Sequence, residues 1–167
     1  CQTLTEQARR EAMTGLLNKD AFRLDVRTYL SAAGPEETYA LLVTDLDDFK
    51  RFNDRYGHTF GDQVLLAFAA ILSRSFGPGA LCGRYGGDEF VVFLPGTAPR
   101  TAEEALHVLY RNLKCRRKGD PMFQCSVGAA CGKGPAEYSR LFDRADAALY
   151  RAKRAGKNRF QMDRGGL

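Results

Sequence analysis

No stretch of this chain approaches 18 uninterrupted apolar residues, so no segment is expected to span or directly contact a membrane. The opening CQTLTEQARREAM is polar and helix-forming and lacks the apolar centre of a signal peptide, which argues against export. Five cysteines (Cys1, Cys82, Cys115, Cys125 and Cys131) make no C-x-x-C pair and stand at no zinc-like spacing from His58 or His107. An odd count without a framework fits reduced thiols, and hence a cytoplasmic location, with a membrane tether through parts outside this segment left open. Internal repeats, low-complexity tracts and a dividing linker are also missing. What is present is 167 residues, 44% hydrophobic and 27% charged, which is the make-up of one ordinary globular domain. A disordered tail, a collagen-like repeat and a disulfide miniprotein are excluded. The net charge of +5 points toward polyanions such as nucleotides, nucleic acid or anionic lipid without choosing among them, and a cationic surface often does no more than keep a protein soluble. Because the chain opens at Cys1 and not at methionine, it reads as a piece of a longer protein. Residues 1–12 are then the end of a linker or signalling helix, and residues 13–163 are the domain.

Apolar spacing predicts alternating elements along the chain. Residues 4–13 read as the end of a polar helix. Asn18 is placed to cap a helix with Phe22, Val26, Tyr29 and Leu30 on one face, stopped by Gly34-Pro35. TYALLVTDLD (38–47) reads as a buried strand ending in carboxylates, followed by a short helix and loop over DFKRFNDRYGH. Residues 62–76 predict a helix with Val64, Leu65, Phe68, Ile71 and Leu72 inward, ended by Gly77-Pro78. Residues 81–85 and 89–95 predict strands joined through Gly86-Gly87. A helix over 101–113, a strand over 122–131, a helix over 139–156 and a short edge strand in NRFQM complete the chain. Hairpin strands mixed with helices predict an α/β (α+β) sandwich with a largely antiparallel central sheet flanked by helices, not a doubly wound parallel one.

Two acidic clusters stand out. Asp45-Leu46-Asp47-Asp48 closes the first long strand, with Asp45 and Asp47 expected on one face by strand alternation. Asp88-Glu89 sits at the tip of the glycine hairpin. Turns and strand ends collect Asp and Gly for structural reasons alone, so either cluster by itself means little. Facing each other across a hairpin, they make an oxygen-rich site suited to magnesium, which takes a few carboxylates plus phosphates. Glycines let a bulky anion approach the backbone. Basic residues lie nearby: Lys50, Arg84, and Lys153 with Lys157 at i, i+4, a spacing that shares one helix face and suits a triphosphate. A solvated cationic face near a helix C-terminus is the plainer alternative. Asn53, His58 and Asp62 are polar and of a size to meet a base. A carboxylate at Asp62 would accept two hydrogen bonds from the N1–N2 edge of guanine, a donor pair adenine lacks. It would equally serve as the N-cap of the 62–76 helix.

These residues are similar to a known family. Arg84-Tyr85-Gly86-Gly87-Asp88-Glu89-Phe90 resembles the signature of the GGDEF family, the bacterial diguanylate cyclases. MTGLLNKDAF (13–22) resembles the family's opening segment, and DLDDFKRFNDRYGHTFGDQVL (45–65) its metal and guanine segment. SVGAA (126–130) resembles a core strand, and RADAALYRAKRAGKNRF (144–160) the closing helix. The blocks run in order from about Glu11 to Phe160. The resemblance implies a fold similar to the palm of nucleotide cyclases and polymerases. It also implies GTP as substrate, two magnesium ions per GTP with manganese as a substitute, and a homodimer that makes cyclic di-GMP as the output of an upstream sensory domain. Carried over, Asp45 and Asp88 would hold metal with the Leu46 carbonyl, and Glu89 would support the cluster. Asp88 would also activate the 3′-hydroxyl nucleophile. Lys50, Lys153 and Lys157 would stabilise phosphate charge. Phe49, Asn53, His58 and Asp62 would line the guanine and ribose pocket, with Arg84, Gly86 and Gly87 against the nucleotide. Glu11, Lys19 and Lys157 stand where the family usually has Asp, Arg and Arg; the last trades a bidentate fork for a point charge. The family's inhibitory Arg-x-x-Asp falls here on Gly77 and Ala80, so product inhibition through that site is not expected. Nucleic acid is not expected as a partner either. No aromatic-plus-basic strand pattern is present, and the acidic clusters would repel a phosphate backbone.

Overall fold

The computed structural model describes residues 2–167; Cys1, one of the thiols noted above, lies outside them. The elements in order are α1 (Gln2–Arg9), β1 (Leu17–Asn18), α2 (Lys19–Ala32), β2 (Thr38–Leu46), α3 (Phe49–Tyr56), α4 (His58–Phe76), β3 (Leu81–Gly86), β4 (Glu89–Leu94), α5 (Pro99–Lys114), β5 (Cys125–Lys133), α6 (Tyr138–Arg154) and β6 (Phe160–Asp163). They build one sheet in the order β1-β3-β4-β2-β5-β6. The central pairings β3·β4, β4·β2 and β2·β5 are antiparallel, as expected, while the two short outer strands add in parallel.

Strand β2 shows why helices cover both faces. Its run is apolar on both sides: Ala40, Leu42 and Leu46 join one core, and Tyr39, Leu41 and Val43 join the other. The first core is closed by α4 through Val64, Leu65 and Phe68 and by α5 through Leu106 and Leu109. The second is closed by α2 through Phe22, Val26 and Leu30 and by α6 through Leu141, Ala145 and Leu149. Each fully buried Leu, Val or Phe side chain contributes about 1.5–3 kcal/mol relative to exposure. By alternation Asp45 and Glu89 belong to the α6 side. That helix lies close because residue 128 is glycine: a Cβ there would stand 2.1 Å from the Ala145 carbonyl oxygen and 2.1 Å from Leu149 N.

Several boundaries differ from the sequence reading. The first helix ends at Arg9, not near residue 13, because Glu11 captures the next turn: its carboxylate accepts from Thr14 N (2.8 Å) and Thr14 Oγ1 (2.6 Å). Helix α4 begins at His58, so Asp62 lies inside it and is not its N-cap. Asn18 does cap α2, accepting from Ala21 N at 2.9 Å. β5 begins at Cys125 and not at 122, since Arg116 draws the carbonyls of Pro121 and Phe123 away from any ladder. Burial pushes the Cys82 thiol up to about 11 and the Cys125 thiol up to about 12, so both stay protonated near neutral pH. Cys82, Cys115, Cys125 and Cys131 are all free thiols. Among the described residues no helix is long and apolar enough to cross a membrane.

Candidate active site

Asp45 pairs across the ladder with Glu89, and Leu46 N donates to the Asp88 carbonyl at 3.3 Å. The strand end and the hairpin tip are thereby joined, and at this corner Asp45, Asp88 and Glu89 come close enough to feel each other's charge. Gly86 and Gly87 turn the hairpin at φ 144° and 52°, a region that L side chains rarely adopt. The corner opens into a cleft of about 290 Å³ lined by Asp45, Leu46, Asp48, Lys50, Asp88 and Lys153, with Phe49 and Lys157 at its wall. Glu89 is half-buried beside it.

Arg84 has partners of its own within the hairpin and beneath it. Its guanidinium donates to the Gly87 carbonyl at 3.1 and 2.8 Å and to Glu11 Oε1 at 3.0 Å, with only 10% of the side chain exposed. It braces the hairpin from below. Glu11, which the sequence reading gave no role beyond its place in the motif, completes the brace. Burial alone would raise its carboxyl, but the hydrogen bonds from Thr14 and Met13 and the Arg84 charge outweigh that and hold it below the usual glutamate value.

Asp47 departs from the sequence reading. It stands just past β2, not alternating with Asp45 on a strand face, and both its oxygens are engaged. Ser126 Oγ donates to Oδ1 at 2.6 Å and Asn158 N to Oδ2 at 2.9 Å, while Asp47 N donates to the Gln124 carbonyl at 2.8 Å. One side chain thus ties the end of β2 to β5 and to the turn after α6. That turn runs through left-handed conformations at Lys157 (φ 63°) and Asn158 (φ 48°).

The lysines meet the carboxylates directly. Lys153 Nζ donates to Asp45 Oδ2, and Lys157 Nζ donates to Asp48 Oδ1 at 2.8 Å. Burial pushes the Asp45 carboxyl up even with Lys153 against it, and the charges of Asp88 and Asp47 add to the rise. Glu89 is raised by burial, then by Asp146, Asp45 and Asp88. Lys157 instead lowers Asp48. A corner that raises its own carboxylates is one that favours added positive charge.

Asn53, His58 and Asp62 lie on the α3–α4 pair. Gly57 (φ 88°) turns the chain between the helices, and Phe52 stacks on Phe60 at 5.1 Å. Gly61 leaves room for the Asn53 side chain, since a Cβ there would fall 1.8 Å from Asn53 Oδ1 and displace that amide. His58 and Asp62 are exposed and share a face one turn apart, while Asn53 is half-buried with Oδ1 shielded and unpartnered. Lys50 is exposed at the cleft mouth, and Phe49 is half-buried against the first core.

The donors at the corner are all oxygen, as magnesium requires. Among the described residues, however, no three His, Cys, Asp or Glu side chains are gathered to hold an ion by themselves. Asp45, Asp88, Glu89 and the Leu46 carbonyl are the oxygens that could hold an ion from the protein side, and phosphate oxygens and water would have to complete its shell.

Comparison with known proteins shows which family the chain resembles. The chain is 39% identical over 160 residues to the diguanylate cyclase DgcM of Escherichia coli (strain K12), covering 95% of this chain and 39% of that protein. It is 36% identical over 162 residues to the diguanylate cyclase DgcP of Pseudomonas aeruginosa, covering 94% of this chain and 24% of that one. The chain thus spans well under half the length of these relatives. The coiled coil and GGDEF domain of DgcB from Caulobacter crescentus, solved in complex with c-di-GMP, superposes with a TM-score of 0.88 at 30% identity, covering 97% of this chain and 89% of that chain. The family model for the diguanylate cyclase GGDEF domain matches residues 8–159, from just before the Glu11 brace to just past the Asp47-bound turn, and the chain belongs to that family.

Proposed function

We propose that this domain condenses two GTP molecules into cyclic di-GMP with release of two pyrophosphates, as one half of a homodimer driven by upstream sensory parts. The observation that carries the reading is the corner itself. Asp45, Asp88 and Glu89 converge beside Lys153 and Lys157, one helix pair away from Asn53 and Asp62. Phosphoryl transfer asks a protein mainly for positioning and charge stabilisation, and these are what the corner offers. Lys50, Lys153 and Lys157 neutralise the phosphates. Asp62, released from any capping duty, accepts from the guanine edge, with Asn53 and His58 beside it. Asp88 at the hairpin tip accepts the proton of the attacking 3′-hydroxyl. Arg84 and Glu11 keep that tip in place. Bound magnesium supplies Lewis-acid polarisation of the phosphate oxygens, two ions per GTP on this reading.

In each half reaction a bond forms between the 3′-oxygen of one nucleotide and the α-phosphorus of the other as the α–β bridging bond breaks. Each domain presents one nucleotide, so two domains related by a two-fold axis make both half reactions equivalent. The test is pyrophosphate release from GTP and from ATP in the presence of magnesium. Release with GTP and little with ATP is expected; none with GTP would overturn the proposal.

A further inference from the structure

We propose that Lys153 keeps divalent metal out of the corner until nucleotide arrives, so that metal and nucleotide enter together. The inference rests on the reading of the corner as a metal–nucleotide site and adds an order of binding to it. All three aspartates at the end of β2 have a carboxylate oxygen taken by a protein donor: Asp45 by Lys153 Nζ, Asp47 by Ser126 Oγ and Asn158 N, Asp48 by Lys157 Nζ. Only Asp88 and Glu89 have no such partner among the described residues. Two carboxylates beside a competing ammonium make a weak site for a bare ion, because a strongly hydrated dication must displace the lysine before it reaches Asp45.

A triphosphate changes the balance. Its oxygens offer Lys153 and Lys157 new partners, free Asp45 and supply the ligands the protein lacks. Lys153 is suited to the exchange. Its ammonium sits on a flexible four-carbon stem, and the side chain is 38% exposed while Asp45 is 19% exposed, so the cation swings out and the carboxylate stays. By linkage, whatever nucleotide does for metal affinity, metal does equally for nucleotide affinity.

The test is Mn2+ binding to the nucleotide-free protein, read by electron paramagnetic resonance, for wild type, Lys153→Met and Lys153→Gln, with Lys50→Met as a control. Circular dichroism melts check that each variant is folded, and two substitutions at 153 guard against one failing. Lys50 also lies in the cleft but has no carboxylate partner among the described residues, so its loss removes the same charge without freeing a ligand. The expected result is weak binding by wild type, a gain of about tenfold for both position-153 variants, the scale of one charge-assisted hydrogen bond lost from the competing state, and a gain of about twofold or less for Lys50→Met. Equal Mn2+ affinity in wild type and the position-153 variants would overturn the proposal. So would a Lys50→Met gain as large as theirs. A separate titration with GTP and Mn2+ keeps the two readings apart. Failure of wild type to bind GTP removes the nucleotide reading, whereas normal GTP binding with no gain at position 153 removes the exchange alone.

Discussion

β3 has a glycine-rich turn at each end: Gly77-Pro78-Gly79-Ala80 leads into it, and Gly86-Gly87 leads out toward Asp88 and Glu89. At the exit, glycines bend the chain, Arg84 and Glu11 brace the bend, and Asp45 and Lys153 close on it from β2 and α6. At the entrance, Gly77 N bonds back to the Ser73 carbonyl at 3.1 Å and Ala80 N to the Gly77 carbonyl at 3.3 Å, and the four residues offer no side-chain donor or acceptor. The groove beside that turn holds Arg9, Arg10 and Arg74, but Arg9 is committed to Asp25 at 2.5 Å. Glycine punctuates both ends equally. What separates them is whether the nearby charged side chains bond to the bend itself, as Arg84 does at the Gly87 carbonyl, or to each other, as Arg9 and Asp25 do.

Substitutions at the exit should therefore be severe and those at the entrance mild. The largest effect is expected for Asp45→Ala or Asp88→Ala, each removing a carboxylate from the metal–phosphate corner. Loss of transition-state stabilisation of roughly several kcal/mol should leave no detectable cyclic dinucleotide, with the melting curve retained. Near-normal activity in either variant would erase the distinction between the two ends. Next comes Asp62→Ser, which leaves a hydroxyl where two carboxylate oxygens are proposed to face the base. Preference for GTP over ATP should fall by about 10²-fold or more, since a site built to pair a polar edge rejects analogues strongly. Unchanged discrimination would leave Asp62 without a base-reading role.

A smaller effect is expected for Glu11→Gln, which weakens the hairpin brace. The loss of charge-assisted hydrogen bonds should cost about 1.5–3 kcal/mol of stability at neutral pH. The pH dependence has a definite sign. The Glu11 carboxyl is held below its ordinary value of 4.5, so its contribution is complete above that value and is lost as pH falls through the lowered folded-state value. Melting temperatures of wild type and variant should converge in acid below about pH 4.5. A gap that persists or widens there would show that the brace does not depend on the carboxylate charge. The smallest effect is expected at the entrance turn: cyclic di-GMP titrated into a turnover assay should not act through Gly77–Ala80. Potent non-competitive inhibition at low product concentration would show that the bare end of β3 does bind product.

The antiparallel centre of the sheet was legible because its signals are local and strong. β2 is a nine-residue apolar run, and Gly86-Gly87 joins β3 to β4 as a hairpin turn should. Apolar periodicity also located the buried faces of α2 and α4. Of the two outer strands, NRFQM announced β6, whereas β1 was not legible. β1 is two residues long and exists because Arg10 bridges Leu17 and Leu17 pairs with Gly83, which no local pattern announces. The start of α4 was placed at Asp62 because an acidic residue before an apolar run looks like a cap; the true start is set by the positive φ of Gly57. Within the site, residue types in family order brought out Asp45, Asp88, Glu89 and both lysines. They did not reveal that Arg84 turns inward to Glu11, that Asp47 is a tie between segments, or that each lysine rests on an aspartate. Those partners lie from 73 to 111 residues away along the chain, where spacing rules carry no information.

The most direct measurement is to incubate the domain with GTP and magnesium across a range of protein concentrations and identify the product by mass. A product with the mass of cyclic di-GMP, formed with pyrophosphate and with activity per molecule rising as protein concentration rises, is the expected result for a site completed by two domains. Absence of that product at every concentration, with GTP bound, would contradict the account.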